Sequence, residues 1–176
     1  MSVIPYMKQS INFLQESFRT AGNGLTPEQL HFSPDGESHS IAWVQWHAAR
    51  IEDLFIQQIF QSKPAEWDTG GWAQRTGLPE KGFGTGQPTE EAKAIRITGL
   101  DAFAQYAATV AGQTNAFLDS LDEKGLEREV KLGERTETVG ESINLHFITH
   151  LNGHRGEVNL LRGTMGFQPV MPNRGG

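Results

Sequence analysis

The sequence predicts an all-α protein: a four-helix, up-and-down type bundle with a long glycine- and tryptophan-containing loop between its second and third helices. Three observations point there. Four long stretches carry apolar residues at helical spacing, almost nothing alternates with the period of two that marks a strand, and no internal repeat is present. At 176 residues the chain suits one domain with a sizeable core. We place that domain at residues 1–166 and read 167–176, with Pro169, Pro172 and Gly175-Gly176, as an irregular tail.

The first helix is expected over residues 4–21, where Ile4, Met7, Ile11, Phe13, Leu14 and Phe18 recur at mostly helical spacing and Pro5 fits a first turn. Gly22-Asn23-Gly24 ends it. Thr26-Pro27-Glu28-Gln29 reads as a capping box opening one short turn, and Ser33-Pro34-Asp35-Gly36 is turn chemistry. The second long helix begins near Ser38 or Ser40 and reaches about Ile59, with Ile41, Val44, Ile51, Leu54 and Phe55 on its buried stripe. Glu52-Asp53 falls on its far side and reads as solvated or structurally paired. Periodicity is lost over residues 62–88, where Trp67 and Trp72 suggest a loop packed on the body with a lid or binding role. Thr89-Glu90-Glu91 caps a segment to about Ile97. A third long helix follows over 100–121, with a kink expected at Gly112, and a short extended pair or loop over 127–136. Thr138-Val139-Gly140-Glu141, another capping box, opens the last helix, which Gly166 stops.

Composition narrows the function. A net charge of -6 with scattered Lys and Arg argues against nucleic acid as a partner. No apolar segment approaches membrane-spanning length, and the N-terminus does not read as a signal peptide, so a cytoplasmic location is the expectation. The absence of cysteine excludes disulfides, thiolate ligands and a cysteine nucleophile, leaving nitrogen and oxygen donors for any metal.

Such donors stand where apolar side chains belong. His150 and His154, four apart, lie one above the other on the inward stripe of the last helix, and His47 sits mid-stripe on the second. Two readings of the pair are open: ligands of one ion, with His47 as the third, or core histidines bonded to polar neighbours. Three neutral imidazoles suit zinc, nickel, copper or iron(II) and leave positions for water or substrate. HxxxH is not HExxH, so a metalloprotease has no support. His146, one turn before His150, reads as pocket lining and as the one candidate general base. Trp43 and Arg50, flanking His47 by one turn, and Trp72 of the loop are candidates for the substrate pocket, although Trp43 reads first as core. His31 and His39 read as surface histidines, Arg155 as a bridge between helices, and Gly82-Phe83-Gly84-Thr85-Gly86 as a flexible loop without the strand a phosphate loop requires.

Two motifs carry a family resemblance: Ser40-Ile41-Ala42-Trp43-Val44-Gln45-Trp46-His47 with Glu52-Asp53, and His150-Leu151-Asn152-Gly153-His154-Arg155-Gly156-Glu157-Val158-Asn159-Leu160-Leu161-Arg162 with Gly166. With Gly71-Trp72-Ala73-Gln74-Arg75-Thr76-Gly77-Leu78-Pro79, they make the chain resemble the DinB-like (DinB/YfiT) superfamily of metalloenzymes over nearly its whole length. The resemblance implies a divalent metal, nickel or zinc, on His47, His150 and His154. It also implies a homodimer and, from thiol-dependent relatives, transfer of a low-molecular-weight thiol to a small electrophile. Many relatives have His where this chain has Gly153, which alters the surroundings of the site. The alternatives are a metal-dependent hydrolase using activated water, with His146 as proton acceptor, and a non-catalytic, stress-related bundle in which the ion is structural.

Overall fold

Ile4–Thr20 winds into α1 with Pro5 in its first turn and buries Ile11, Leu14 and Phe18. The computed structural model describes residues 2–34 and 36–172; Asp35 of the expected turn and residues 173–176 of the tail lie outside them. Thr26 closes a capping box with Gln29 around α2, Pro27–Leu30. Ser40 caps α3, Ile41–Asp53, by accepting the Trp43 N–H at 3.2 Å. The chain then runs without a break into a π-helical segment, Leu54–Ile59. Ser62, the one non-glycine residue with positive φ among those described, marks where it leaves the rod.

The loop is more structured than its composition suggests. It holds two short helices, α4 (Glu66–Thr69) and α5 (Trp72–Thr76), because Trp67 and Trp72 are both buried and need backbone around them that is internally hydrogen-bonded. After α6, Thr89–Lys93, an extended stretch buries Ile95 and Ile97. The next rod, α7, Leu100–Ser120, is helical straight through Gly112. α8, Glu123–Glu127, leads into an antiparallel hairpin of β1, Glu129–Leu132, and β2, Arg135–Thr138, with Val130 opposite Glu137. Thr138 caps α9, Val139–Ser142, in a second capping box; a π-helical segment, Ile143–Thr149, follows, and α10, His150–Thr164, completes the rod.

The architecture is thus mostly helical with one small sheet. α1 packs on α7, α10 and the second π segment, while α3 packs on α7 and α10. The described part of the tail is irregular but docked: the Val170 N–H donates to Asn159 Oδ1 at 2.8 Å, and Arg162 donates to the carbonyls of Gln168, Ala21 and Asn23. Among the described residues no helix is long and apolar enough to cross a membrane.

The Glu52-Asp53 pair is not solvated. Asp53 is fully buried and structurally paired: Oδ1 accepts the Glu66 N–H at 2.8 Å, and Oδ2 accepts the Trp67 N–H and the Tyr106 hydroxyl, both at 2.9 Å. Glu52 is also buried, under α7 and α1, and accepts a hydrogen bond from Gln15. Burial pushes its carboxyl up to about 7, against the lowering effect of the Thr114 and Gln15 side chains, and the nearby Asp53 adds to the rise.

A sign follows for stability. Between the ordinary glutamate value of 4.5 and about 7 the folded state holds more protons at Glu52 than the unfolded chain, so stability falls as pH rises through that window. The Glu52→Gln variant lacks that fall. It is expected to gain about 3 kcal/mol over the wild type on moving from pH 4.5 to 8. Urea unfolding of both proteins at the two pH values measures this, and parallel pH profiles would contradict it.

Candidate metal centre

His47 sits two turns into α3 and is 2% exposed. Its ring lies on the Trp43 indole, centroids 4.7 Å apart and planes 17° apart. Its Nδ1 donates to the Phe83 carbonyl, which fixes the tautomer and leaves the Nε2 lone pair free to face inward. The loop that brings this carbonyl is itself held one turn along α3, where Arg50 Nε and Nη2 donate to the Gly82 carbonyl at 3.2 and 3.0 Å. Close approach of the strap requires glycine at position 84. Its φ is +93°, and a Cβ there would stand 2.7 Å from Trp43 Cζ2 and 2.8 Å from His47 Nδ1. Gly84→Ala is therefore expected to lift the strap and lower metal affinity about tenfold, the effect of losing an outer hydrogen bond to a ligand. Titration against a chromophoric chelator reads this out, and unchanged affinity would remove the strap from the site.

His150 and His154 come from α10. Nε2 of His150 lies 3.0 Å from Nε2 of His154 and 3.4 Å from Nε2 of His47. His154 is held from outside by Glu157, whose Oε2 accepts from Nδ1 at 2.9 Å; His150 is bonded to the backbone of His146. The outer nitrogens of His47 and His154 are thus committed to acceptors, which turns their Nε2 atoms toward that of His150. Burial pushes His47 down to about 3, opposed by the Phe83 carbonyl and aided by His154 and His150, and pushes His150 down as well. The bond from His154 takes the Glu157 carboxyl down to about 2. Neutral imidazoles with converging lone pairs repel unless a cation sits among them.

The separations fit such a cation. Nitrogens at the roughly 2.0–2.1 Å of a zinc–imidazole bond stand about 3.3–3.4 Å apart in a tetrahedron. His47, His150 and His154 could therefore hold a divalent metal, with an all-nitrogen donor set that suits zinc or nickel. His47 and His154 are buried and His150 is half-buried, so access to the group is from the His150 side.

The other site residues of the sequence reading separate. His146 lies within the second π segment, whose turn is wider than the 3.6-residue turn of an α-helix, and this carries it off the His150 face. Its Nε2 meets Glu137 Oε2 at 3.1 Å and its ring stacks on Phe55. Trp43 does face the triad, and its Nε1 donates to Gln87 at 2.9 Å. Arg50 is spent on Gly82, with Asp53 at 3.7 Å and the Trp67 ring beneath it. Trp72 is buried in the core, where it donates to Glu66 and is covered by Arg75.

His39 is no free surface residue: it stacks on Trp43 at 3.5 Å, with Nδ1 3.9 Å from Glu157 Oε2, so that His39, His154 and Glu157 form a second close group. His31 ties two connections together by accepting the Ile97 N–H at 3.0 Å. Arg155 bridges helices as expected, 5.4 Å over the Phe13 ring of α1. Glu157 and the Phe83 carbonyl were not foreseen as parts of the site. The three-residue step from His154 to Glu157 is the signal that could have found the first.

Fold and site together define a helical protein with a three-histidine group fit for a divalent cation. The chain belongs to the DinB superfamily, whose family model matches residues 11–158. No curated protein matches it. Among solved structures it is similar to a conserved protein from Enterococcus faecalis, with a TM-score of 0.75 and 20% identity over 93% of this chain and 99% of that one, a likeness of fold.

Proposed function

We propose that this protein is a divalent-metal-dependent enzyme, built as an up-and-down four-helix bundle, that transfers a low-molecular-weight thiol to a small electrophile. One observation carries the reading: three imidazole Nε2 atoms converge at 3.0 and 3.4 Å, with Nδ1 of His47 and of His154 each held by an acceptor. Nickel or zinc bound there would act as a Lewis acid and favour the thiolate of a bound thiol.

The chain's own residues do the rest. Phe83 and Glu157 accept from Nδ1 of His47 and of His154, which aims the Nε2 atoms of both rings inward. The strap at Gly82–Gly84 covers the Trp43 side, and approach is left at half-buried His150. With no cysteine in the sequence, the sulfur has to arrive with a co-substrate. The resemblance also supports a homodimer, which light scattering would measure.

The test is conjugation of a panel of thiols, including bacillithiol and mycothiol, to a model electrophile, with the metal-loaded and the metal-stripped protein. Turnover with one thiol, lost on stripping and restored by nickel or zinc, is expected. Absence of turnover with every thiol, alongside metal-dependent ester or amide cleavage, would favour the water-activating alternative instead.

A further inference from the structure

On α3, Trp43 and His47 face the metal centre and Arg50 the strap, while Gln45, Ala48, Ala49 and Glu52 recur at three- and four-residue steps along another face. That second face is the floor of a groove whose walls are the C-terminal half of α1 and the N-terminal half of α7. Packed helices normally fill such a space with long side chains. Here the floor has Ala48 and Ala49, and α7 offers Ala104, Ala107, Ala108 and Ala111, so a cavity of about 580 Å³ remains, within the range of small-molecule sites.

The groove is apolar along much of its walls, and the charged side chains that line it are mostly acidic. Glu52, 6% exposed, lines it from the floor, and among the described residues it makes no ion pair. Its hydrogen-bond donor, Gln15, is neutral. Glu16 and Asp101 add carboxylates at the rim, and the one cation there, Arg19, is already paired with Glu16 at 2.5 Å. The lining is therefore acidic with no free cation of its own, and a buried carboxylate without a counter-charge is unfavourable.

We propose that this groove is a second ligand site, separate from the three histidines, which takes a small aliphatic molecule bearing a primary ammonium group. The ammonium would meet the Glu52 carboxylate and the hydrocarbon body would lie along the alanines. The carboxyl that burial pushes up to about 7 would be held ionised by such a ligand, so binding at neutral pH releases a fraction of a proton.

Calorimetric titration of the full-length protein with n-hexylamine at pH 7, with n-hexanol as the neutral comparison, tests this. Saturable hexylammonium binding is expected, weakened about tenfold or more in Glu52→Gln, because a charge-assisted hydrogen bond is lost. Hexanol should bind both proteins alike. Ala108→Trp, on the solvent side of the groove and outside the core, should abolish binding of both probes without unfolding, whereas His150→Ala should leave both unchanged. Equal hexylammonium affinity in the wild type and Glu52→Gln, or no saturable binding, overturns the proposal. So does a dimer that Ala108→Trp splits while hexylamine does nothing, since a second copy would then cover the groove.

Discussion

His150→Ala is expected to lower affinity for nickel and zinc by more than about 100-fold, beyond the 10–100-fold that loss of an outer partner of a ligand costs. His150 is the residue through which the group closes, with its Nε2 within 3.4 Å of both other Nε2 atoms. Removing it leaves His47 and His154 on different rods with no shared neighbour to hold an ion between them. The variant should fold, because His150 is half-buried and lies at the opening of the group, not in the core. Competition with a chelator of known affinity gives the number, and circular dichroism checks the fold. An affinity within tenfold of wild type would mean that the three histidines are not the binding site. The same variant separates catalysis from architecture: a structural ion would take the melting temperature down with it, whereas an ion serving chemistry would take the thiol conjugation.

Much of this centre could be read from residue spacing, and what escaped has a physical cause. Capping boxes at Thr26 and Thr138 and the cap at Ser40 are local, so short side-chain patterns located them. His47, His150 and His154 stood out because each broke an apolar stripe. The two π segments were illegible, since a shift from i→i+4 to i→i+5 bonding leaves no signature in residue type, and it is the second of them that turns His146 toward Glu137. His39 precedes the first residue of α3, where no period applies, so nothing in the sequence put it on Trp43. Glu52 and Asp53 were correctly placed away from the His47 face. Periodicity names a face, however, and not what covers it; here α7, α1 and the folded loop do.

Asp53→Ala should be the most damaging single change outside the histidines, with a loss of about 3–5 kcal/mol, the cost of removing one partner from a buried charge network. Burial pushes the Asp53 carboxyl up in spite of its bonds to Trp67, Glu66, Tyr106 and Arg50, so its charge alone is no source of stability. What it supplies is satisfaction of others. Without it the Glu66 and Trp67 N–H groups and the Tyr106 hydroxyl lose an acceptor, and the buried Arg50 guanidinium loses its counter-charge at 3.7 Å. For a chain of this size that loss corresponds to a fall in melting temperature of roughly 10 °C. The damage should also spread along the loop: with α4 unmoored and Arg50 left without its carboxylate, the Gly82–Gly84 strap loses its register, and His47 loses the carbonyl that fixes its tautomer. Asp53→Ala is thus expected to expose residues 62–88 to limited proteolysis and to weaken metal binding, although it touches no histidine. A melting temperature within about 3 °C of wild type, under a loop as protease-resistant as before, would show that α4 and the strap are held by the packing of Trp67 and Trp72 alone.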